Sequence, residues 1–444
     1  MVKIKRINPP LFIISGFVIT ILIGAILLAL PISSTSGQSF NLFDSLFTAT
    51  SAVCVTGLVV FDTGTDYTVF GQIIIMILIQ IGGLGFMTFG VTTAVLLGKK
   101  IGLKQRLLIK ESTHAISNAG LVKLTLSILL ITILFEALST LVLTIRWYDE
   151  MGFIKAFYFA LFHSVSAFNN AGFSLWPDSL TRYVGDPVVN LVITGLFITG
   201  GIGFTVIMDI YIKRKWLKLS LNSKIVLITT GLLCIAGFVF VLILESFNSQ
   251  TFGQLNTGER LWAAYFQGVV PRTAGFNTID IGQMLATSQL FIIFLMFVGA
   301  SSGSTGGGIK TSTFAILVLS LFAIIQGRSD ISVLKRTIST DTILRAMAVI
   351  LSSLGVVMSA TLLLTITEHS LQRNFLEVLF EATSAFGTVG LSMGLTGDLS
   401  SSGRIIIILT MFIGRLGPLT MAYALAQKGV IAKMRYAEEK MLIG

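Results

Sequence analysis

The chain has 444 residues, of which 54% are hydrophobic and only 12% charged, with a formal net charge of +10. A soluble domain carries about 25% charged residues, so this composition makes the bilayer the solvent and argues against an ordinary soluble enzyme or a nucleic-acid-binding protein. Two cysteines in different apolar settings, Cys54 and Cys234, and three scattered histidines, His114, His163 and His369, form no disulfide pattern or metal-ligand spacing.

Mostly apolar runs of about 20 residues, long enough for a hydrocarbon core of about 30 Å, occur at 11–30, 73–97, 121–145, 188–212, 225–244, 290–326, 343–366 and 405–427. The first ends at Pro31 without a small-residue cleavage pattern and is too long for a signal-peptide core, so it is expected to be a retained helix. Between successive pairs of spans lies a half-length segment that runs from an aromatic residue to a glycine ten residues later. The four copies are Phe47 to Val59 (FTATSAVCVTGLV), Phe162 to Ser174 (FHSVSAFNNAGFS), Tyr265 to Asn277 (YFQGVVPRTAGFN) and Phe380 to Ser392 (FEATSAFGTVGLS). Their glycines, Gly57, Gly172, Gly275 and Gly390, are spaced 115, 103 and 115 residues apart, which is the signature of an internal fourfold repeat. The units are placed at 1–105, 106–220, 221–330 and 331–444.

A segment of about 11 to 15 residues cannot cross the bilayer and reads as a re-entrant helix. The loop after it is tolerated at membrane depth only where protein shields it or where it lines a watery cavity. The expected fold is therefore an all-α polytopic membrane protein. Four tandem repeats, each an outer helix, pore helix, filter loop and inner helix, surround one pore per chain in pseudo-fourfold fashion. Four buried turns that merely contain glycine are the alternative.

The inner spans carry a second repeat: IGGLGF at Ile81 to Phe86, TGGIGF at Thr199 to Phe204 and IGRLGP at Ile413 to Pro418. Close helix packing explains this pattern as readily as function does. The third inner span departs. From Leu290 to Gln326 it would be about 55 Å of helix, nearly twice the core thickness. Its excess is Gly299 to Lys310, GASSGSTGGGIK, too rich in glycine to stay helical, so a loop is expected there between two half-helices, in this one inner span alone. Gly299 to Gly303 matches G-x-S-x-G, and Gly303 to Thr311 approximates a phosphate-binding loop with Ile309 inserted before Lys310. Neither has the strand–turn–helix setting that hydrolase or nucleotide chemistry needs, and no enzymatic activity is expected.

Lys and Arg collect in alternate loops. Lys3, Lys5, Arg6; Lys99, Lys100, Lys104, Arg106, Lys110, Lys123; Lys213, Arg214, Lys215, Lys218, Lys224; Arg328, Lys335, Arg336, Arg345; and Lys428, Lys433, Arg435, Lys440 lie on one side. Arg146, Lys155, Arg182, Arg260, Arg272, Arg373 and Arg404 lie on the other. The positive-inside rule then places both termini in the cytoplasm and the four glycine loops outside.

A re-entrant helix ending at the midplane aims the negative end of its dipole, about half an elementary charge, at the axis, so four of them favour a cation. The carbonyls that could replace an ion's water shell belong to Val55, Thr56 and Gly57; Asn170, Ala171 and Gly172; Thr273, Ala274 and Gly275; and Thr388, Val389 and Gly390. None of the twelve carries a formal charge. Arg415, inside the last inner span, is functional by default unless it is tied to loop carbonyls for structure alone. Glu136, inside the third span, has no evident partner in the sequence.

The four unit glycines, GASSGSTGGGIKT in the third inner helix and IGRLGPLT in the fourth together resemble the Trk/Ktr/HKT superfamily of potassium transporters, and within it the KtrB-type membrane subunit, over essentially the whole chain. The resemblance implies potassium uptake across the plasma membrane through a filter that is the only metal site, holding K+ with Na+ as a possible coupling ion. It implies no covalently bound cofactor. A homodimer in the lipid membrane, with one pore per protomer, and a cytoplasmic KtrA-type ring that carries the nucleotide are the implied partners. It also implies a gate below the filter, built from Gly299, Ser301, Ser302, Gly303, Ser304, Thr305, Gly306, Gly307, Gly308 and Lys310, with Arg415 reaching the axis beside it. Tetrameric channels place a second glycine two residues after the first, where this chain has Val59, Ser174, Asn277 and Ser392, so a shorter filter is expected. The competing transport class is an alternating-access cation carrier, a symporter, with the interrupted helix as its binding element.

Overall fold

The computed structural model describes residues 9–85, 121–328, 331–334 and 336–425. Lys3, Lys5, Arg6, Lys99, Lys100, Lys104, Arg106, Lys110, Lys335, Lys428, Lys433, Arg435 and Lys440, on which the orientation rests in part, lie outside the described residues, as do the later part of the 73–97 span and the end of the 405–427 span.

The chain is helical nearly throughout, as an all-α polytopic membrane protein should be. Four helices are long and apolar enough to cross a bilayer: α1 (Pro9–Ala29), α4 (Leu121–Met151), α8 (Leu221–Glu245) and α12 (Thr340–Thr367). Only about a third of each span is buried against the rest of the chain. Leu130, Leu134, Leu138 and Ile145 on α4 form an exposed apolar stripe, which is stable because lipid rather than water faces it.

After each long helix comes a short one whose C-terminal half is buried: α2 (Leu42–Cys54), α5 (Phe153–Phe168), α9 (Thr257–Val269) and α13 (Phe375–Gly387). Local chemistry sets their starts. Asn41 caps α2 through the Phe43 N–H, and Asn256 with Glu259 forms a reciprocal capping box on α9. The inner helices follow: α3 (Val69–Leu84); α6 (Pro187–Ile202), begun by Asp186 and Pro187 and continued by α7 (Phe204–Lys213); and α10 (Ala286–Phe297) with α11 (Thr311–Ile325). The fourth unit adds the single turn α14 (Leu395–Asp398), then α15 (Ser401–Leu416) and α16 (Pro418–Leu425). The one sheet is a hairpin of two-residue strands, Ser332–Val333 against Arg336–Thr337, joining α11 to α12.

Two apolar cores hold the helices. One joins α1, α2, α3, α13 and α15 through Phe17, Phe47, Ile75, Ala382 and Met411; the other joins α4, α5, α6, α9 and α10 through Trp147, Phe168, Phe197, Phe266 and Ile292.

Two sequence expectations need correction. The interruption is not confined to the third inner span. α3 ends at Gly85 (φ 81°), α6 at Gly203 (φ 98°) and α15 at Gly417 (φ 86°), and α7 leaves α6 at an angle of 92°. The last glycine of each GG-x-G-like motif adopts the left-handed backbone that ends a helix. Its first glycine serves packing: a Cβ on Gly82, Gly200 or Gly414 would overlap the carbonyl of Val53, Phe168 or Phe386, each four residues before a unit glycine. The second correction concerns Arg272, which the charge pattern places with the outer loops. Its side chain is buried against the middle of α8, where Nη1 donates to the Thr230 carbonyl at 3.2 Å. The re-entrant course of α9 carries its C-terminal loop down to that depth.

Candidate functional site

Each short helix ends in a residue that sequence propensity would not put there. Val55 (φ 58°), Asn170 (φ 61°), Thr273 (φ 72°) and Thr388 (φ 49°) are all left-handed, and two residues later Gly57 (φ 93°), Gly172 (φ 71°), Gly275 (φ 74°) and Gly390 (φ 89°) are left-handed again. For a β-branched residue this conformation is an outlier that costs about 1–3 kcal/mol and persists where surrounding structure over-determines it. Here it occurs in three β-branched residues and an asparagine at equivalent places, and no feature of their side chains marks them for it.

The four segments close into a ring. A Cβ added at Gly57 would lie 3.2 Å from the Gly172 Cα, at Gly172 2.7 Å from the Gly275 Cα, at Gly275 2.9 Å from the Gly172 Cα and 3.4 Å from the Gly390 Cα, and at Gly390 3.0 Å from the Gly57 Cα. The same positions would meet the carbonyl oxygens of Ala171, Ala274, Val389 and Thr56 in turn. Glycine is thus required twice over, for its positive φ and for the closeness of the neighbouring segment.

The N–H groups of these segments turn back into the helix ends. Thr56, Ala171 and Val389 donate to the carbonyls of Ser51, Ser166 and Ser384 at 2.8, 2.7 and 2.9 Å. The Gly57 and Gly390 N–H groups donate to the hydroxyls of Ser51 and Ser384, each at 3.1 Å. In the third segment the Ala274 N–H donates to Val270 at 3.1 Å. Among the described residues, none of the twelve carbonyl oxygens from Val55 to Gly57, Asn170 to Gly172, Thr273 to Gly275 and Thr388 to Gly390 accepts a hydrogen bond from the protein. Buried backbone carbonyls are ordinarily paired, so a group of twelve left unpaired around one ring is a site built for something else.

Beneath the ring, residues 298–310 form the non-helical segment between α10 and α11. It folds back on itself: Ala300 N–H donates to Gly307 and Thr311 N–H to Ala300, each at 3.3 Å, and the Ser301 and Thr311 hydroxyls lie 2.7 Å apart. It is tied to every unit. In the second, Ser301 and Thr305 donate to the Gly201 and Gly200 carbonyls at 2.9 and 3.3 Å, and Phe204 donates to Gly303 at 2.9 Å. Ser302 presents its carbonyl to Gly203, and the Ser304 hydroxyl donates to the Ser301 carbonyl at 2.6 Å. Toward the ring, Thr305 donates to the Asn170 side-chain oxygen at 2.9 Å, and the Gly307 N–H to the Thr388 hydroxyl at 3.0 Å. A Cβ on Gly306 would overlap the Thr273 side chain, itself 3.0 Å from the Asn170 amide nitrogen. In the fourth unit, Gly308 N–H donates to Gly414 at 3.3 Å.

Arg415 completes the set. Its guanidinium donates to the Thr305 carbonyl of the loop and, on the far side, to the carbonyls of Gly82 and Gly83 at the end of α3. Lys310 folds its ammonium onto the Gly306 carbonyl at 2.8 Å. The ring residues and the loop residues singled out in the sequence are therefore brought together in two stacked layers. Gly299 closes the loop at its base, where a Cβ would overlap the Gly307 carbonyl.

Sequence reasoning missed the supports behind the ring. Asn169, next to Asn170, donates to Glu136 Oε1 at 3.1 Å and Gln80 Oε1 at 2.7 Å, and Gln80 Nε2 reaches Glu136 Oε2 at 3.4 Å. This triangle joins α3, α4 and α5 behind the second ring segment. In α13, buried Glu381 accepts from the Ser392 hydroxyl at 2.7 Å and from Thr396. His163 is a packed structural residue, bonded to the Phe159 carbonyl and Ser174 hydroxyl at 2.8 and 3.2 Å against Trp176. Ser174 and Ser392, which stand where a second filter glycine would be, anchor the loop after the ring. Only an in-span Glu, Gln or Asn on an otherwise apolar face could have signalled these contacts.

A family model described as "TrkH: Cation transport protein" matches residues 10–430 of the chain. The Ktr system potassium uptake protein B of Bacillus subtilis (strain 168) is 48% identical over 444 residues, covering 100% of this chain and 98% of that protein. The protein of the same name from Vibrio alginolyticus is 43% identical, covering 98% and 95%. Among solved structures, that of the potassium transporter TrkH from Vibrio parahaemolyticus matches with a TM-score of 0.71 at 19% identity, covering 96% of this chain and 86% of that one.

Proposed function

The chain belongs to the TrkH family of cation transport proteins, and from that premise we propose that it takes up potassium through the glycine ring, with the loop at 298–310 as the gate. It is a multi-pass membrane protein. One observation carries the reading: twelve buried carbonyl oxygens around one closed ring have no hydrogen-bond donor. Neutral oxygens at the C-terminal ends of four short helices suit a cation and no other common solute. K+ is the ion that the names of the similar Bacillus and Vibrio proteins suggest. The four units then divide at 1–105, 106–220, 221–330 and 331–444, with both termini cytoplasmic.

The words "Ktr system" in those names favour a separate regulatory component. A cytoplasmic nucleotide-binding ring of the KtrA type, acting on a homodimer of this chain, fits the short cytoplasmic segments seen here. The loop touches all four units, so a push on any inner helix reaches it.

An alternating-access carrier gains one observation, the breaks at Gly85, Gly203 and Gly417 in addition to the third-unit loop. All these breaks belong to units of one orientation, however, and inverted pairs are the mark of such carriers.

The test is rubidium uptake into liposomes holding the purified protein. Excess external K+ should suppress the tracer and excess Na+ should not; a tracer insensitive to K+ would refute potassium as the substrate. Unlabelled internal rubidium should leave initial influx unaccelerated, whereas acceleration would favour the carrier.

A further inference from the structure

Arg272 directly precedes Thr273 of the ring, yet its side chain turns away from it. The residue is 7% exposed, Nη1 donates to the Thr230 carbonyl at 3.2 Å and lies 4.0 Å from Cys234 Sγ, and Nε has no partner. Arg146, Arg182, Arg345, Arg373 and Arg404 each pair with an Asp or Glu, and Arg415 holds three carbonyls. Among the described residues, no carboxylate pairs with Arg272.

The unsatisfied side faces a cavity. About 240 Å3 of space, including its mouth, lies between α6, α8, α9 and the gate loop, with Thr230, Cys234 and Arg272 at its polar end and Phe197, Val269 and Ala300 among its walls. The Thr230 hydroxyl, on a residue 8% exposed, is also without a partner. Two nine-tenths-buried polar side chains thus meet in one small space.

The C-terminal end of α9 at Val269 supplies about half an elementary negative charge and leaves the rest of the guanidinium charge uncompensated. A buried charge without a counter-charge is among the most costly features a fold can carry. The polar end offers donors, a guanidinium edge and a hydroxyl, and too few of them for a multivalent oxyanion. We propose that this cavity holds one small monovalent inorganic anion of the size and charge of chloride, bound between the Arg272 guanidinium and the Thr230 hydroxyl. The bound anion cancels the field of Arg272 beside the third ring segment and abuts the gate loop through Ala300; this consequence, unlike the site itself, rests on the ring being the ion path.

The purified full-length protein is melted in potassium gluconate while chloride or bromide replaces gluconate at constant potassium. The midpoint should rise with halide and saturate, by roughly 2 °C or more. Arg272→Met should lose the response and melt in gluconate no lower than the native protein, since it removes the uncompensated charge. Arg272→Lys keeps a charge without the fork and should respond more weakly, which serves if the Met variant fails to fold. Bromide should give an anomalous peak within hydrogen-bond distance of the guanidinium. A halide-independent melting midpoint, an unchanged response in both variants, or bromide found only at the surface would overturn the site. Rubidium uptake should fall in gluconate for the native protein and not for Arg272→Met; a halide-dependent melt with halide-independent uptake would leave the site standing and sever its link to the ion path.

Discussion

Arg415 and Thr305, 110 residues apart, are joined by a hydrogen bond from the guanidinium to the loop carbonyl, while the same guanidinium holds the end of α3 through Gly82 and Gly83. One side chain therefore clamps the loop between the fourth unit and the first. A hydrogen bond from a charged group contributes about 1.5–3 kcal/mol. Arg415→Ala should thus raise rubidium flux in the absence of any cytoplasmic partner by roughly tenfold or more, with the preference for K+ over Na+ retained. Unchanged basal flux in a correctly assembled variant would remove the clamp from the mechanism.

Shortening the loop asks the same question without touching the arginine. Deleting Ser301 to Gly307 takes away the bonds to Gly200, Gly201, Asn170 and Thr388 together. Flux should rise and cease to depend on a regulatory subunit. If the deletion protein reaches the membrane and still conducts only with that subunit present, the gate is elsewhere.

Selectivity should depend on the ring glycines. At Gly57 and Gly390 a side chain must adopt a left-handed backbone, at about 1–2 kcal/mol, and must displace the carbonyl of Ala171 or Thr56. Gly57→Ser and Gly390→Ser should each reduce discrimination between K+ and Na+ by about tenfold, measured as the Na+ concentration that suppresses rubidium uptake. Equal discrimination in both variants and the native protein would separate the ring from selectivity.

The triangle of Glu136, Gln80 and Asn169 should behave as a support. Glu136→Gln preserves size and acceptor and should cost little, whereas Glu136→Leu strands two buried amides and should lower stability by about 1–3 kcal/mol, read by thermal melting in detergent. A Leu variant as stable as the Gln variant would show that the amides find other partners.

Much of this architecture is legible in hydrophobic pattern because lipid imposes it. The 225–244 run becomes Leu221–Glu245 and the 343–366 run sits inside Thr340–Thr367. The glycine periodicity locates the ring segments, and glycine density locates the interruption after Phe297. The breaks at Gly85, Gly203 and Gly417 escape, since one glycine in an apolar run is as compatible with helix packing as with a bend, and hydropathy averages over both. The left-handed Val55 and Thr388 are likewise invisible, because their conformation is set by the loop below and the segment beside them. Glu136 waited for its partners because Gln80 and Asn169 are distant in sequence and meet it only across three helices.

Because a single polypeptide closes the ring, its four sides are genetically independent. In a ring of four identical chains one codon change alters every side at once, whereas here it alters one quarter. The sides have already diverged, with an apolar Val55, an amide at Asn170 and hydroxyls at Thr273 and Thr388 in equivalent places. Ion preference in such a path can be tuned in single steps of one quadrant each, through intermediates that a symmetric assembly has no way to visit.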